Sequence, residues 1–303
     1  MPAPRLSQVP PPRVDPRRIG ISYSGGGALF LVELGIARAF VARRVLPDVI
    51  AGVSAGAFAA VAHGLDPAGG RGIASAARLL GHVDDGTLGL RWWQVALHLL
   101  FVSRRSLGDP SRLRRLVLDS FARDFGLHDP RLGDLVDPEV HIGAADRLGG
   151  EPVWFPAETP IVDALIASAA IPAVFPWVEL TVRGVKRVLV DGGLVHNQPL
   201  SELVLAGCGT IFAASVGPFR REMQRPHNLV DNAVGSACLA IHQSARLEEA
   251  YVREVLRGRG TVLHVQPVLD FPVEHFNFDP EVVRRVMDEA DRQTRECLIQ
   301  QGY

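Results

Sequence analysis

Three stretches of the chain carry residue types suited to acyl transfer. In Gly52-Val53-Ser54-Ala55-Gly56 a serine stands between two glycines. The stretch follows apolar Val49-Ile50-Ala51 and leads into an alanine-rich segment, residues 57–62. A G-x-S-x-G sequence between a strand and a helix is the setting of a nucleophile elbow, where glycine removes side chains that would collide across the turn. Helical N–H groups and the helix dipole favour negative charge at the serine. A Gly/Ala/Ser-rich turn without chemistry would read the same way, so the motif alone leaves both readings open.

A serine hydroxyl attacks only when a base takes its proton and donors meet the oxyanion. Ser24-Gly25-Gly26-Gly27 offers the donors: consecutive glycines let backbone N–H groups share one space. As a phosphate loop it lacks the Lys-Ser/Thr of a P-loop and the G-x-G-x-x-G spacing. A structural turn stays open as the alternative. Asp191, followed by Gly192 and Gly193, offers the base, since partial burial raises a carboxylate's basicity. Asp-Gly is also a strong hairpin signal.

These residues need a sheet edge to bring them together. Arg18-Ile19-Gly20-Ile21-Ser22-Tyr23 reads as a strand running into the glycine loop. Residues 28–45 follow as a helix, with Glu33, Arg38, Arg43 and Arg44 spaced to leave one apolar face. Pro47 closes it before the strand that ends at Ser54. Strand, loop, helix, strand, elbow, helix is a βαβ unit, and in its parallel sheet the loops after adjacent strands share the carboxyl edge. Further strands are expected at 140–145, 153–155, 187–190, 210–216 and 261–265. Helices are expected at 161–170, 229–257 (with a possible break at Gly235) and 280–300. Residues 64–135 read instead as helical patterns between Gly-rich turns. The fold class is α/β, a three-layer α/β/α domain with a mainly parallel central sheet and a helical cap region.

In this order and with these flanks, the three stretches resemble the patatin-like phospholipase family. Ala167-Ser168-Ala169-Ala170-Ile171-Pro172-Ala173-Val174-Phe175-Pro176 is similar to the family's segment before its aspartate. Asp191-Gly192-Gly193-Leu194-Val195-His196-Asn197-Gln198-Pro199-Leu200 is similar to the aspartate block. The resemblance covers residues 18–216 and, more faintly, the last strand and helix. It implies a Ser54/Asp191 dyad, an oxyanion hole from the N–H groups of Gly25, Gly26 and Gly27, and an elbow framed by Gly52 and Gly56. It further implies hydrolysis of phospholipid or other acyl-lipid esters without a metal or cofactor, an apolar channel for the acyl chain, and a cap, for which residues 65–135 are the candidate. Residues 17–303 would form the patatin-like domain, and Pro/Arg-rich residues 1–16 a disordered extension.

One departure stands out. The family's glycine loop usually continues with Arg or Lys and then glycine; here Leu29 and Phe30 occupy those places. A weakened enzyme, or a lipid-binding or interaction module, is therefore a rival expectation, as is an esterase or thioesterase for soluble substrates. A Ser-His-Asp arrangement would need a histidine after the acid. His196, His227, His242, His264 and His275 are available, but none has a flanking signature.

The bulk numbers bound the rest. A chain of 303 residues with net charge −1 has no global field for nucleic acid. Cys208, Cys238 and Cys297 have no metal or disulfide spacing. Apolar residues 88–102 carry Trp92 and Trp93, and residues 104–125 hold six Arg against three Asp. Residues 88–125 are thus a candidate peripheral membrane contact, against the plainer reading of a packed helical cap. No signal-peptide pattern or membrane-spanning run is evident, so a cytoplasmic or peripheral membrane location is expected. Oligomeric state has no signal.

Overall fold

A computed structural model of the protein describes residues 12–81, 110–172, 174–216, 229–271 and 279–303. The strands are β1 (Asp15–Tyr23), β2 (Val49–Val53), β3 (Glu139–Asp146), β4 (Pro152–Trp154), β5 (Val178–Val182), β6 (Val185–Val190), β7 (Cys208–Ala214) and β8 (Thr261–Val265). The helices are α1 (Phe30–Ala42), α2 (Ala55–Gly64), α3 (Arg71–Leu80), α4 (Ser111–Phe125), α5 (Ile161–Ser168), α6 (Leu200–Leu205), α7 (Leu229–Leu256) and α8 (Pro280–Gln300).

The sheet runs β5-β6-β3-β2-β1-β7-β8, with β4 paired to β3. From β3 to β8 the neighbours are parallel. Side chains on these strands alternate between two cores, as the two-residue period of a strand requires. Ile50, Phe212 and Ala214 pack among α1, α2 and α8. Val49, Ala51, Ile211 and Ala213 pack with Leu200 and Leu203 of α6 and Val252 and Leu256 of α7 on the other face. This is the expected three-layer arrangement.

Several local expectations change. The strand carrying Asp191 is not one of the parallel set. β3 runs past the end of β2, and β6 pairs antiparallel with that overhang, Ala145 opposite Val190 and Asp146 opposite Leu189. β5 and β6 form a hairpin through Arg183 and Gly184, both at positive φ. The alternation Val-Glu-Leu-Thr-Val before that turn was the available signal for β5. β1 starts at Asp15, inside the stretch assigned to the extension; residues 1–11 lie outside the described residues. α7 continues through Gly235.

Glu33, expected on a polar face of α1, is fully buried. α2, α3 and α8 all pack against α1, and its Phe40 ring meets Phe212 of β7, so its second face is covered too. Arg38 keeps the expected outward role and pairs with Asp288 and Asp291 of α8. In the cap region, α3 packs on α1 and α2, and α4 packs on α3 and α5. The apolar segment 88–102, and with it much of the suggested membrane contact, lies outside the described residues. No helix among the described residues is long and apolar enough to cross a membrane.

Candidate active site

Ser54 sits between β2 and α2 with φ 54° and ψ −126°, a backbone region that non-glycine residues rarely enter. Holding it there costs on the order of 1–3 kcal/mol, which the surrounding contacts must offset. The glycines of the elbow are required by close approach. A Cβ on Gly52 would lie 2.2 Å from the Gly56 carbonyl oxygen, and one on Gly56 would lie 2.4 Å from that of Tyr23. The first turn of α2 thus lies directly against the end of β1. The Ser54 N–H donates to Ser168 Oγ at 2.8 Å, and Ser168 Oγ donates to the Gly143 carbonyl at 2.6 Å. Ser168, at the end of α5, therefore ties the elbow to β3.

Ser54 Oγ donates to Asp191 Oδ2 at 2.6 Å, and both residues are buried. The other carboxylate oxygen, Oδ1, accepts the Gly193 N–H at 2.8 Å. Asp191-Gly192 is not a hairpin turn: β6 ends and the chain enters a 3-10 turn, Gly192–Leu194. The antiparallel course of β6 delivers Asp191 beside Gly143 of β3, whose sheet partner is Val53, the residue before the serine. A Cβ on Gly192 would lie 2.5 Å from the Gly143 carbonyl oxygen. Burial raises the Asp191 pKa from 3.8 to about 6, with the Ser54 and Gly193 hydrogen bonds opposing the rise. Asp191 is then a stronger base than a surface carboxylate, yet ionised at neutral pH.

The glycine loop lies over the same edge, because β1 and β2 are adjacent with Tyr23 opposite Gly52. Its three N–H groups are not equivalent. Gly25 N–H donates to the Asn197 carbonyl at 2.9 Å, so it is already engaged. Among the described residues, no acceptor takes the N–H of Gly26 or Gly27. The loop is held from behind by Ser24, whose Oγ lies 3.4 Å from Glu33 Oε1 and accepts the Val216 N–H at 3.4 Å. Burial pushes the Glu33 carboxyl well above the usual carboxylate range, with its Ser24 hydrogen bond opposing the rise. Gln198 Nε2 donates to Ser22 and to the Ala214 carbonyl, which fixes the 191–199 segment to β1 and β7.

Ser54, Asp191, Gly52, Gly56 and the glycine loop, singled out from the sequence, are thus brought together. Ser168, Gln198 and Glu33 were not singled out. The signal for Ser168 was a polar side chain inside a small-residue stretch. Leu29 and Phe30 open α1 directly behind the loop, with Phe30 buried and its ring edge-to-face with Phe58. Among the described residues no histidine hydrogen-bonds to Ser54 or Asp191. His196 lies against Trp154 and Glu248, and His264 bonds to Glu249. His227 and His275 lie outside the described residues. No group of three or more His, Cys, Asp or Glu is placed to hold a metal ion among the described residues.

The chain is similar to several known proteins. An uncharacterized NTE family protein of Mycobacterium bovis is 28% identical over 187 residues, 62% of this chain and 28% of its own length. A counterpart in Mycobacterium tuberculosis strain H37Rv matches equally. The chain therefore spans little more than a quarter of the length of these curated relatives. Among solved structures, human GIVD cytosolic phospholipase A2 superposes with a TM-score of 0.50 at 10% identity, over 93% of this chain and 59% of that one. VipD from Legionella pneumophila gives 0.48 at 16% identity, over 96% and 67%. The model of the patatin-like phospholipase family matches residues 21–204, a span that holds the glycine loop, the elbow and the aspartate block. The chain belongs to the patatin-like phospholipase family.

Proposed function

We propose that the protein is a serine hydrolase of carboxylic esters in phospholipids or other acyl lipids, working through a Ser54/Asp191 dyad. Ser54 Oγ attacks the ester carbonyl while its proton passes to Asp191 Oδ2. The oxyanion that forms is met by the N–H groups of Gly26 and Gly27 at the positive end of α2. The intermediate collapses, the leaving alcohol takes the proton from Asp191, and the acyl group stays on Ser54. Water then attacks the acyl ester while Asp191 takes a proton from it, and as the second intermediate collapses Asp191 returns that proton to Ser54 Oγ and the carboxylic acid leaves. Asp191 needs no histidine relay in this scheme, because burial has already raised its basicity.

The observation that carries the proposal is the 2.6 Å contact between Ser54 Oγ and Asp191 Oδ2 at the start of α2. A general base contributes about 10²–10⁴ in rate, and one oxyanion donor about 10²–10³. The engagement of Gly25 N–H leaves the loop fewer free donors than three glycines suggest. Residues 17–303 are taken as the unit that carries this activity, with acyl lipid as its partner.

Purified protein should release fatty acid from phospholipid vesicles or para-nitrophenyl esters, and Ser54→Ala should not. Asp191→Asn should retain about 10⁻³ of the rate or less. Full activity in either folded variant would refute the dyad. A lack of hydrolysis by wild type, with retention on vesicles, would favour a lipid-binding module. Ester hydrolysis unaffected by an added lipid surface would favour soluble substrates.

A further inference from the structure

The dyad and the glycine loop meet a second time, through the side chain of Asn197. This residue is buried, in the segment that Gln198 fastens to β1 and β7. Its backbone carbonyl takes the Gly25 N–H at 2.9 Å. Its side chain occupies space that two glycines leave empty. A Cβ on Gly25 would lie 2.5 Å from Asn197 Oδ1, and one on Gly193 would lie 2.9 Å from the same atom. Gly193 in turn holds Asp191 Oδ1 through its N–H. A Cβ on Gly25 would also lie 3.3 Å from that of Ser54. The contacts therefore close a ring: Ser54 to Asp191, Asp191 to Gly193, Gly193 to Asn197, Asn197 to Gly25, and Gly25 back to Ser54. Apart from the dyad, Asn197 supplies the one side chain in that ring.

We propose that Asn197 is a positioning residue whose side chain holds the glycine loop and the Asp191 turn at a fixed separation, so that oxyanion donors and base keep their places around Ser54 together. This rests on Ser54 and Asp191 being the dyad. The loop follows β1 and Asp191 follows β6, and β2 and β3 lie between those strands in the sheet. Their relative placement is therefore set by contacts beyond the strand ends. A misplacement on the order of 1 Å costs about a hundredfold in rate. Shape and charge can be separated at this position. Alanine removes the brace. Aspartate keeps its shape and adds an acid. Asn197 Oδ1 and Asp191 Oδ1 lie 2.9 and 3.0 Å from one point, the Cβ position of Gly193, so they are at most about 6 Å apart, within reach of direct charge coupling. A like charge there disfavours ionisation of Asp191. The other titratable groups near this edge are engaged elsewhere, His196 with Trp154 and Glu248, and Glu33 with Ser24.

The test is the pH profile of kcat and KM on a para-nitrophenyl ester for the full chain, Asn197→Ala and Asn197→Asp. Ser54→Ala is the blank, and thermal melting is the check on folding. In Asn197→Ala the high-pH plateau of kcat should fall about tenfold to a hundredfold, with KM changed less than about threefold. Asn197→Asp should retain more of the plateau than Asn197→Ala, because the brace is kept. Its kcat/KM midpoint should move up from that of wild type by about one pH unit or more. This variant carries the test if Asn197→Ala does not fold. A folded Asn197→Ala with the wild-type plateau, equal plateau losses in the two variants, or an Asn197→Asp midpoint at the wild-type value overturns the inference and leaves the dyad standing. No hydrolysis by wild type, or undiminished hydrolysis by folded Ser54→Ala, overturns the dyad and this inference with it.

Discussion

Replacing Asp191 with asparagine should abolish hydrolysis and at the same time stabilise the fold at neutral pH. Burial opposes the charged form of Asp191 and raises its pKa from 3.8 to about 6. Each pKa unit corresponds to about 1.4 kcal/mol, so keeping this carboxylate ionised in the folded protein costs about 3 kcal/mol above pH 7. The sign follows from the two states. Below pH 3.8 both folded and unfolded chains hold the proton, and the cost is absent. Between pH 3.8 and about 6 the unfolded chain loses its proton while the folded chain keeps it. Wild-type stability therefore falls through that window as pH rises, then levels off.

Asparagine does not titrate, so its advantage over wild type should grow by about 3 kcal/mol from pH 4 to pH 7. That is about 5 °C in melting temperature for a chain of this size. Loss of the Ser54 hydrogen bond subtracts about 1 kcal/mol at every pH without changing the slope. Denaturant unfolding of both proteins across pH 4–7.5 measures the difference directly. A difference that stays flat with pH, or shrinks as pH rises, would refute the raised pKa and the desolvation argument behind it.

Three further outcomes follow from the same contacts. The pH dependence of kcat/KM should rise with unit slope through about pH 6, where Asp191 loses its proton, and be level above it; a midpoint near 4 would contradict this. Ser168→Ala leaves the buried Ser54 N–H and Gly143 carbonyl without their partner. It should cost about 1–3 kcal/mol for each in urea unfolding and lower kcat more than it raises KM. Gly56→Ala places a methyl 2.4 Å from the Tyr23 carbonyl oxygen and 2.5 Å from that of Ser24. A loss of about 1–3 kcal/mol in stability and a hundredfold or greater fall in activity, to roughly the scale of a lost oxyanion donor, are expected in melting and ester assays.

The layers of the fold were legible because period-two alternation and helical periodicity are local signals. Val49, Ile50 and Ala51 are apolar throughout, as a strand covered on both faces must be. The pairing partner of β6 was not legible. Nothing in Val185–Val190 says that it runs against β3, since strand direction is fixed by the hairpin through Arg183 and Gly184 and by how far β3 overhangs β2.

For the site, the glycines forecast close approach, and close approach is what Gly52, Gly56 and Gly192 show. Which loop donors are free was hidden, because the Gly25 N–H is claimed by a carbonyl more than 170 residues away, that of Asn197. Glu33 misled for a related reason. Its spacing with Arg38 looked like a solvent face, but α2, α3 and α8 pack around α1 and cover it, and burial pushes its carboxyl well above the usual carboxylate range.

The central claim is that Ser54 is a nucleophile activated by Asp191. A fluorophosphonate probe, followed by intact mass and peptide mapping, tests it without knowledge of the natural substrate. One adduct per chain is expected, on Ser54, absent in Ser54→Ala and formed about 10³-fold more slowly in Asp191→Asn. No adduct at high reagent concentration, an adduct on another serine such as Ser201, or equal labelling rates in wild type and Asp191→Asn would contradict it.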